Sequence, residues 1–261
     1  MNKGFRYFIS SLFSALGFFM FISLPYESRY FGLMAGVVLV VFCFWFGLGI
    51  LFDKSIYTRL MSVLLPVSFF VGFGMFGAFL PYDVIWAVLM SIVFGLVLYS
   101  LFLVENVFLV AIGYKTVPLY RAAYTVSFIV LLLSAFFMFD TLFSFRLGFI
   151  ENGIGVFLIS LLLFLYQFWA VAIELPDDGA NKNLRAFVLI PSLLMSEIAV
   201  VLSFWPTGIF KGSVYLVSAI YIFASLIQAE IRERLFKRTV MMYVWVGVAV
   251  VLAMLSITRW K

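Results

Sequence analysis

The sequence predicts an all-α integral membrane protein of about nine transmembrane helices. The helices are expected as a 4+4 parallel internal duplication plus one extra C-terminal helix. Three observations carry that reading. Of 261 residues, 66% are hydrophobic and only 11% are charged, whereas a water-soluble domain is about half apolar and about a quarter charged. The apolar residues gather into nine runs, each near the roughly 20 residues that cross a hydrocarbon core. The cations between the runs alternate between many and few, the pattern that fixes orientation in a bilayer.

Each span is bounded by charge or proline. The first, 7–24, follows Lys3 and Arg6 and stops before Pro25. Its start resembles a signal peptide, but no small-x-small cleavage site follows, so it is expected to stay in the mature chain. The second, 30–52, runs from Arg29 to Asp53, and the third, 60–80, from Arg59 to Pro81. The fourth, 84–104, ends at Glu105, yet 106–113 is still apolar. Either the span continues, long and tilted, to Gly113, or a short helix lies at the interface. The fifth, 122–139, lies between Arg121 and Asp140, and the sixth, 153–173, between Glu151 and Glu174. The seventh is 186–205, the eighth 213–229 and the ninth 239–257. After Glu230, the pairs Glu230–Arg234 and Glu233–Lys237 stand at i,i+4 in the favoured order. They predict that the eighth helix continues as a charged extension.

With a cytoplasmic N-terminus, twelve cations fall inside and five outside, and every inside segment holds at least two. The expected topology is N-terminus in and C-terminus out. The absence of any N-x-S/T site fits a prokaryotic cell membrane. The net charge of +5 belongs to short membrane-proximal loops, where anionic lipid attracts cations. No loop has room for a nucleic-acid-binding module. The partners implied are the lipid bilayer and either a membrane-protein partner or a second copy of the chain. Aromatic residues near span ends, such as Tyr26, Tyr82, Trp205 and Trp260, read as interfacial anchors.

Two halves of the chain share landmarks in the same order. Phe18 to Phe21 recurs as Phe136 to Phe139 at an offset of 118, and Arg29 pairs with Arg146 at 117. Phe44-Trp45 with Asp53 recurs as Phe168-Trp169 with Asp177 at 124. Pro66 and Pro81 map to Pro191 and Pro206 at 125, as do Ser100-Leu101 and Glu105 to Ser225-Leu226 and Glu230. The offset shifts once, where one loop is longer than its counterpart. The repeats are then 1–114 and 115–238, with the extra helix at 239–258. Four spans per repeat is an even number, which makes the symmetry parallel rather than inverted.

Little catalytic chemistry is available. The chain has no histidine and one cysteine, Cys43, so zinc–histidine sites, His acid–base catalysis and intramolecular disulfides are excluded. No cofactor is implied, and the scarcity of catalytic groups favours a non-enzyme. Gly72, Gly74 and Gly77 spell GxGxxG, but no strand precedes them and no acidic residue stands where a dinucleotide site needs one. They read as helix-packing glycines, as do Gly32 and Gly36.

Glu197 is the main functional candidate. It lies about 17 Å into its span at 1.5 Å per residue, and an intramembrane carboxylate is a functional candidate by default. Its position in the other repeat is Gly72. The sequence suggests a binding position formed by Glu197, Ser196, Gly72, Gly74 and Gln167. The alternative is a protonated, hydrogen-bonded Glu197 that fixes helix packing. Asp177 and Asp178, in the polar loop 174–185, are weak metal candidates; the further aspartates of a membrane phosphotransferase signature are missing. Three functions follow in order: a protein binding or transporting a small solute, ion or lipid; a non-catalytic structural or assembly subunit of a membrane or envelope complex; and a lipid-modifying enzyme.

Overall fold

The computed structural model describes residues 3–49, 55–81, 83–113, 118–173, 184–206 and 208–258. Among them are nine helices: α1 (Lys3–Ser23), α2 (Arg29–Leu48), α3 (Ile56–Phe79), α4 (Val84–Gly113), α5 (Tyr120–Ser144), α6 (Phe149–Ala172), α7 (Leu184–Phe204), α8 (Ile209–Ile231) and α9 (Lys237–Ile257). All nine are long and apolar enough to cross a membrane. The chain divides into two compact units, Met1–Met138 and Phe139–Lys261, with the boundary inside α5.

In the first unit, α1 packs against α2, α3 and α4. Its core is aromatic. Phe18 stacks on Phe94 at 4.4 Å and on Phe73 at 5.4 Å, and meets Phe70 edge-on at 5.9 Å. Phe102 stacks on Phe44 at 4.3 Å and on Tyr7 at 5.6 Å. Such pairs each contribute about 0.5–1.5 kcal/mol beyond their buried area. The part of α5 in this unit lies along α3, where Phe137 meets Phe73 at 5.0 Å and Phe76 at 5.1 Å.

In the second unit, α6 and α7 form the closest pair, α8 packs on both, and α9 packs on α8. Asn152 Nδ2 donates to Ser203 Oγ at 3.2 Å, and Ser196 Oγ donates to the Gly153 carbonyl at 2.9 Å. Phe149 meets Phe204 at 5.1 Å, and Phe168 meets Phe187 at 6.2 Å, at opposite ends of the α6–α7 pair. The C-terminal end of α9 is held by Trp205 Nε1, which donates to Thr258 Oγ1 at 2.9 Å.

Buried hydroxyls mostly donate within their own helices. Ser14, Ser91, Ser134 and Ser192 each donate to the carbonyl four residues earlier, at 2.7–2.9 Å. This suits helices in an apolar medium, where each polar group must find a partner inside the protein. Pro66 and Pro191 are accommodated inside α3 and α7.

The structure decides one helix end that the sequence leaves open and corrects another. α4 is one continuous helix of 30 residues, about 45 Å long, so 106–113 extends it and forms no separate helix. α8 does not continue past Ile231 as a charged helix. Arg234 N donates to the Ala229 carbonyl at 2.8 Å and Glu233 N to the Glu230 carbonyl at 2.9 Å. That is the Schellman pattern of a helix stop. Glu233 takes the left-handed position at φ 54°, which glycine usually fills. The expected i,i+4 pairs therefore lose their helical geometry.

Candidate functional site

The sequence places five residues together, Glu197, Ser196, Gly72, Gly74 and Gln167. In the structure each has its own surroundings. Gly72 is a close-approach glycine of the first unit. A Cβ there would meet Met138 Cγ at 2.8 Å, the Ser134 carbonyl oxygen at 3.1 Å and Met138 N at 3.2 Å. Two of those atoms are α5 backbone, so α5 crosses α3 at Gly72 because no side chain intervenes. Gly74 faces α1, with Phe21 Cε1 at 3.0 Å from a Cβ built there. Gly36 faces the Phe70 ring and Gly32 faces Leu24.

Ser196 turns toward α6 and binds the Gly153 carbonyl. Gln167 is 1% exposed and lies fourteen residues along α6 from Gly153, about 21 Å at 1.5 Å per residue. It is therefore far from the level of Ser196. Asp177 and Asp178 lie outside the described residues. Among the described residues, no group of three His, Cys, Asp or Glu side chains is placed to hold a metal ion. Cys43 is half-buried.

Glu197 is exposed. One residue after Ser196, it is turned about 100° around the helix, away from α6. It stands thirteen residues after the start of α7 and seven before its end, about 20 Å and 10 Å respectively. Its neighbours along the same face are Ile190, Leu194, Val201 and Phe204, at 56%, 39%, 57% and 69% exposure. The spacing of 190, 194, 197, 201 and 204 is 4-3-4-3, the a/d seam of a left-handed helix pair. Glu197 is the central residue of that uncovered seam.

The structure also brings forward a carboxylate that sequence reading had placed at a span end. Glu105 is 0% exposed and lies eight residues inside the end of α4. Beside it, Tyr7 Oη donates to Asn106 Oδ1 at 3.0 Å, and Phe108 meets the buried Tyr120 ring at 5.3 Å. The apolar stretch 106–113 was the signal that Glu105 is internal. Glu230, which the expected duplication pairs with it, is exposed at the end of α8.

One apolar groove, of about 750 Å³, opens sideways between α1 and α4. Ser11 and Ala15 on α1, and Ser91 and Gly95 on α4, keep its floor low. A Cβ on Gly95 would stand 3.1 Å from Ala15 Cβ. No charged residue lines the groove, and sequence reading did not single it out.

The chain matches no protein-family model, no curated protein and no solved structure.

Proposed function

We propose that the chain is a multi-pass membrane protein, with its N-terminus cytoplasmic and its C-terminus outside, that serves as a non-catalytic assembly subunit of a membrane complex. The observation that carries the reading is the exposed seam of α7 with Glu197 at its centre. Intramembrane carboxylates almost always face a protein interior or a partner. This one faces out of the unit that holds it, which suits a subunit whose interior is completed by another protein. Within its own unit, Ser196 is engaged with the Gly153 carbonyl while Glu197 is exposed, and this favours assembly over a transport path built around Glu197.

The 4+4+1 architecture belongs to the same proposal. Two facts support it beside the sequence landmarks. Helices α2, α3 and α4 all pack on one another, and so do α6, α7 and α8. At the offset of 125, the buried Val63, Pro66, Phe70, Gly74 and Gly77 of α3 correspond to the buried Val188, Pro191, Met195, Ala199 and Leu202 of α7.

The test is purification of the tagged full chain from its native membranes in a mild detergent. A membrane protein recovered in fixed stoichiometry is the expected result. A chain that is recovered alone and stays folded overturns the assembly reading.

A further inference from the structure

The first unit holds the counterpart of the α7 seam, and there its middle is covered. At the offset of 125, Ile190, Leu194, Glu197, Val201 and Phe204 correspond to Leu65, Phe69, Gly72, Phe76 and Phe79 of α3. Leu65 and Phe69 are 0% and 1% exposed. α5 crosses the middle of this face: Phe137 meets Phe69 at 6.3 Å and Phe76 at 5.1 Å, and Met138 lies against Gly72, while Phe79 at the end is 50% exposed. The same helix face in this chain thus meets a crossing helix at its centre in one unit and is exposed at its centre in the other.

Chemistry narrows what the bare face takes. Hydrocarbon tails offer no donor to a carboxylate, and an unpaired charge at this depth is costly. Ionisable groups inside membranes pair with one another or with backbone groups. A single polar residue in an otherwise apolar a/d seam fixes register and partner choice. By sequence, the chain's seventeen cations lie at or near the ends of the apolar runs, and no ion pair to Glu197 is seen among the described residues of its unit. A second copy docked symmetrically on α7 would bring another carboxylate to the same place.

We infer that the α7 seam receives a transmembrane helix from a different protein, carrying a lysine or arginine opposite Glu197. The inference rests on the membrane-assembly reading and names the partner's chemistry. Ile190, Leu194, Val201 and Phe204 supply the knobs of the interface. Glu197 sets the register, because a basic residue one turn away leaves both charges unpaired. Ser196 contributes from behind, holding α7 on α6 so that the seam keeps its outward direction.

The experiment uses the full chain in lipid vesicles with defined peptides as probes. Cys43→Ser removes the native thiol, and Gly208→Cys carries a donor dye; a Cβ at Gly208 meets nothing within 4 Å. The probes are an acceptor-labelled polyleucine transmembrane peptide with one central lysine and the same peptide with leucine in its place. The lysine peptide is expected to associate about tenfold more tightly than the leucine peptide. Glu197→Leu should erase that difference, and Glu197→Gln, which keeps a hydrogen-bonding group, should retain part of it. Leu194→Trp should weaken both peptides if they dock on the seam.

Equal association of the two peptides with the unsubstituted chain overturns the inference. So does a lysine preference that survives Glu197→Leu. Energy transfer between two copies of the chain that Glu197→Leu abolishes also overturns it, by giving the seam to a second copy. None of these outcomes touches the recovery of a partner from native membranes, so the assembly reading stands or falls separately.

Discussion

The Ser196 hydroxyl donates to the Gly153 carbonyl oxygen at 2.9 Å, and that bond sets the direction of the next residue, Glu197. Gly153 allows it by presenting no side chain. A Cβ there would stand 2.9 Å from Val200 Cγ2 and 3.3 Å from Ser196 Oγ. The contact predicts two graded variants. Ser196→Ala removes one interhelical hydrogen bond, which is worth about 0.6 kcal/mol on average in membrane proteins. Gly153→Val forces α6 and α7 apart and should cost about 1–3 kcal/mol. Thermal unfolding in detergent should rank them in that order, and equal stability of the two variants would remove the close-packing argument.

Glu105 and Glu230, which the proposed duplication pairs, stand in opposite environments. Glu105 is enclosed in α4, whereas Glu230 is exposed at the end of α8. Truncating a buried, partnered carboxylate strands the groups around it, at about 3 kcal/mol. Truncating an exposed one changes stability by less than about 0.5 kcal/mol. Glu105→Ala should therefore lower the unfolding midpoint well below that of Glu230→Ala. Similar midpoints for the two would contradict the buried placement.

This contrast shows what the sequence could and could not reveal. The nine helices were legible because charges and prolines punctuate the apolar runs, and those signals do not depend on packing. The faces of the helices were not legible. In a soluble helix, polar residues mark the outside, but in a lipid-facing one Ile190 and Leu194 look the same as the buried Met195 and Ala199. Glu197 was found by its charge alone, and its direction came only with the Ser196–Gly153 bond. A lone charge such as Glu105 reads as a span end, and only the seven uncharged, largely apolar residues 107–113 point to a helix that continues past it. The stop of α8 was missed because Glu233, not glycine, takes the left-handed position.

Gly72 and Glu197, which the proposed duplication pairs, differ in their surroundings, one buried in its unit and the other exposed, and the same substitution should affect them differently. Valine at Gly72 would drive Cβ and both methyls into the α5 backbone at Ser134 and Met138. Backbone yields less readily than a side-chain tip, so Gly72→Val should cost about 1–3 kcal/mol. Glu197→Val replaces a charge by an apolar group on an exposed seam, and the isolated chain should keep or raise its unfolding midpoint in detergent. A large loss at Glu197→Val would mean that the carboxylate is held inside the fold.

The end of α8 offers the last test. Glu233 adopts φ 54°, where its Cβ crowds the following carbonyl at about 1–2 kcal/mol. The Schellman bonds from Glu233 N and Arg234 N hold it there, and both come from backbone. Glycine can make both bonds without the crowding, though it loses more entropy on folding. Glu233→Gly should therefore stabilise the chain by a net of about 0.5–1 kcal/mol. Glu233→Val should destabilise it, because a β-branched residue tolerates positive φ least. A rise in unfolding midpoint for glycine and a fall for valine would establish that α8 stops here. The reverse order, with valine tolerated and glycine harmful, would indicate that α8 continues through Glu233 as the charged helix its i,i+4 pairs first suggested.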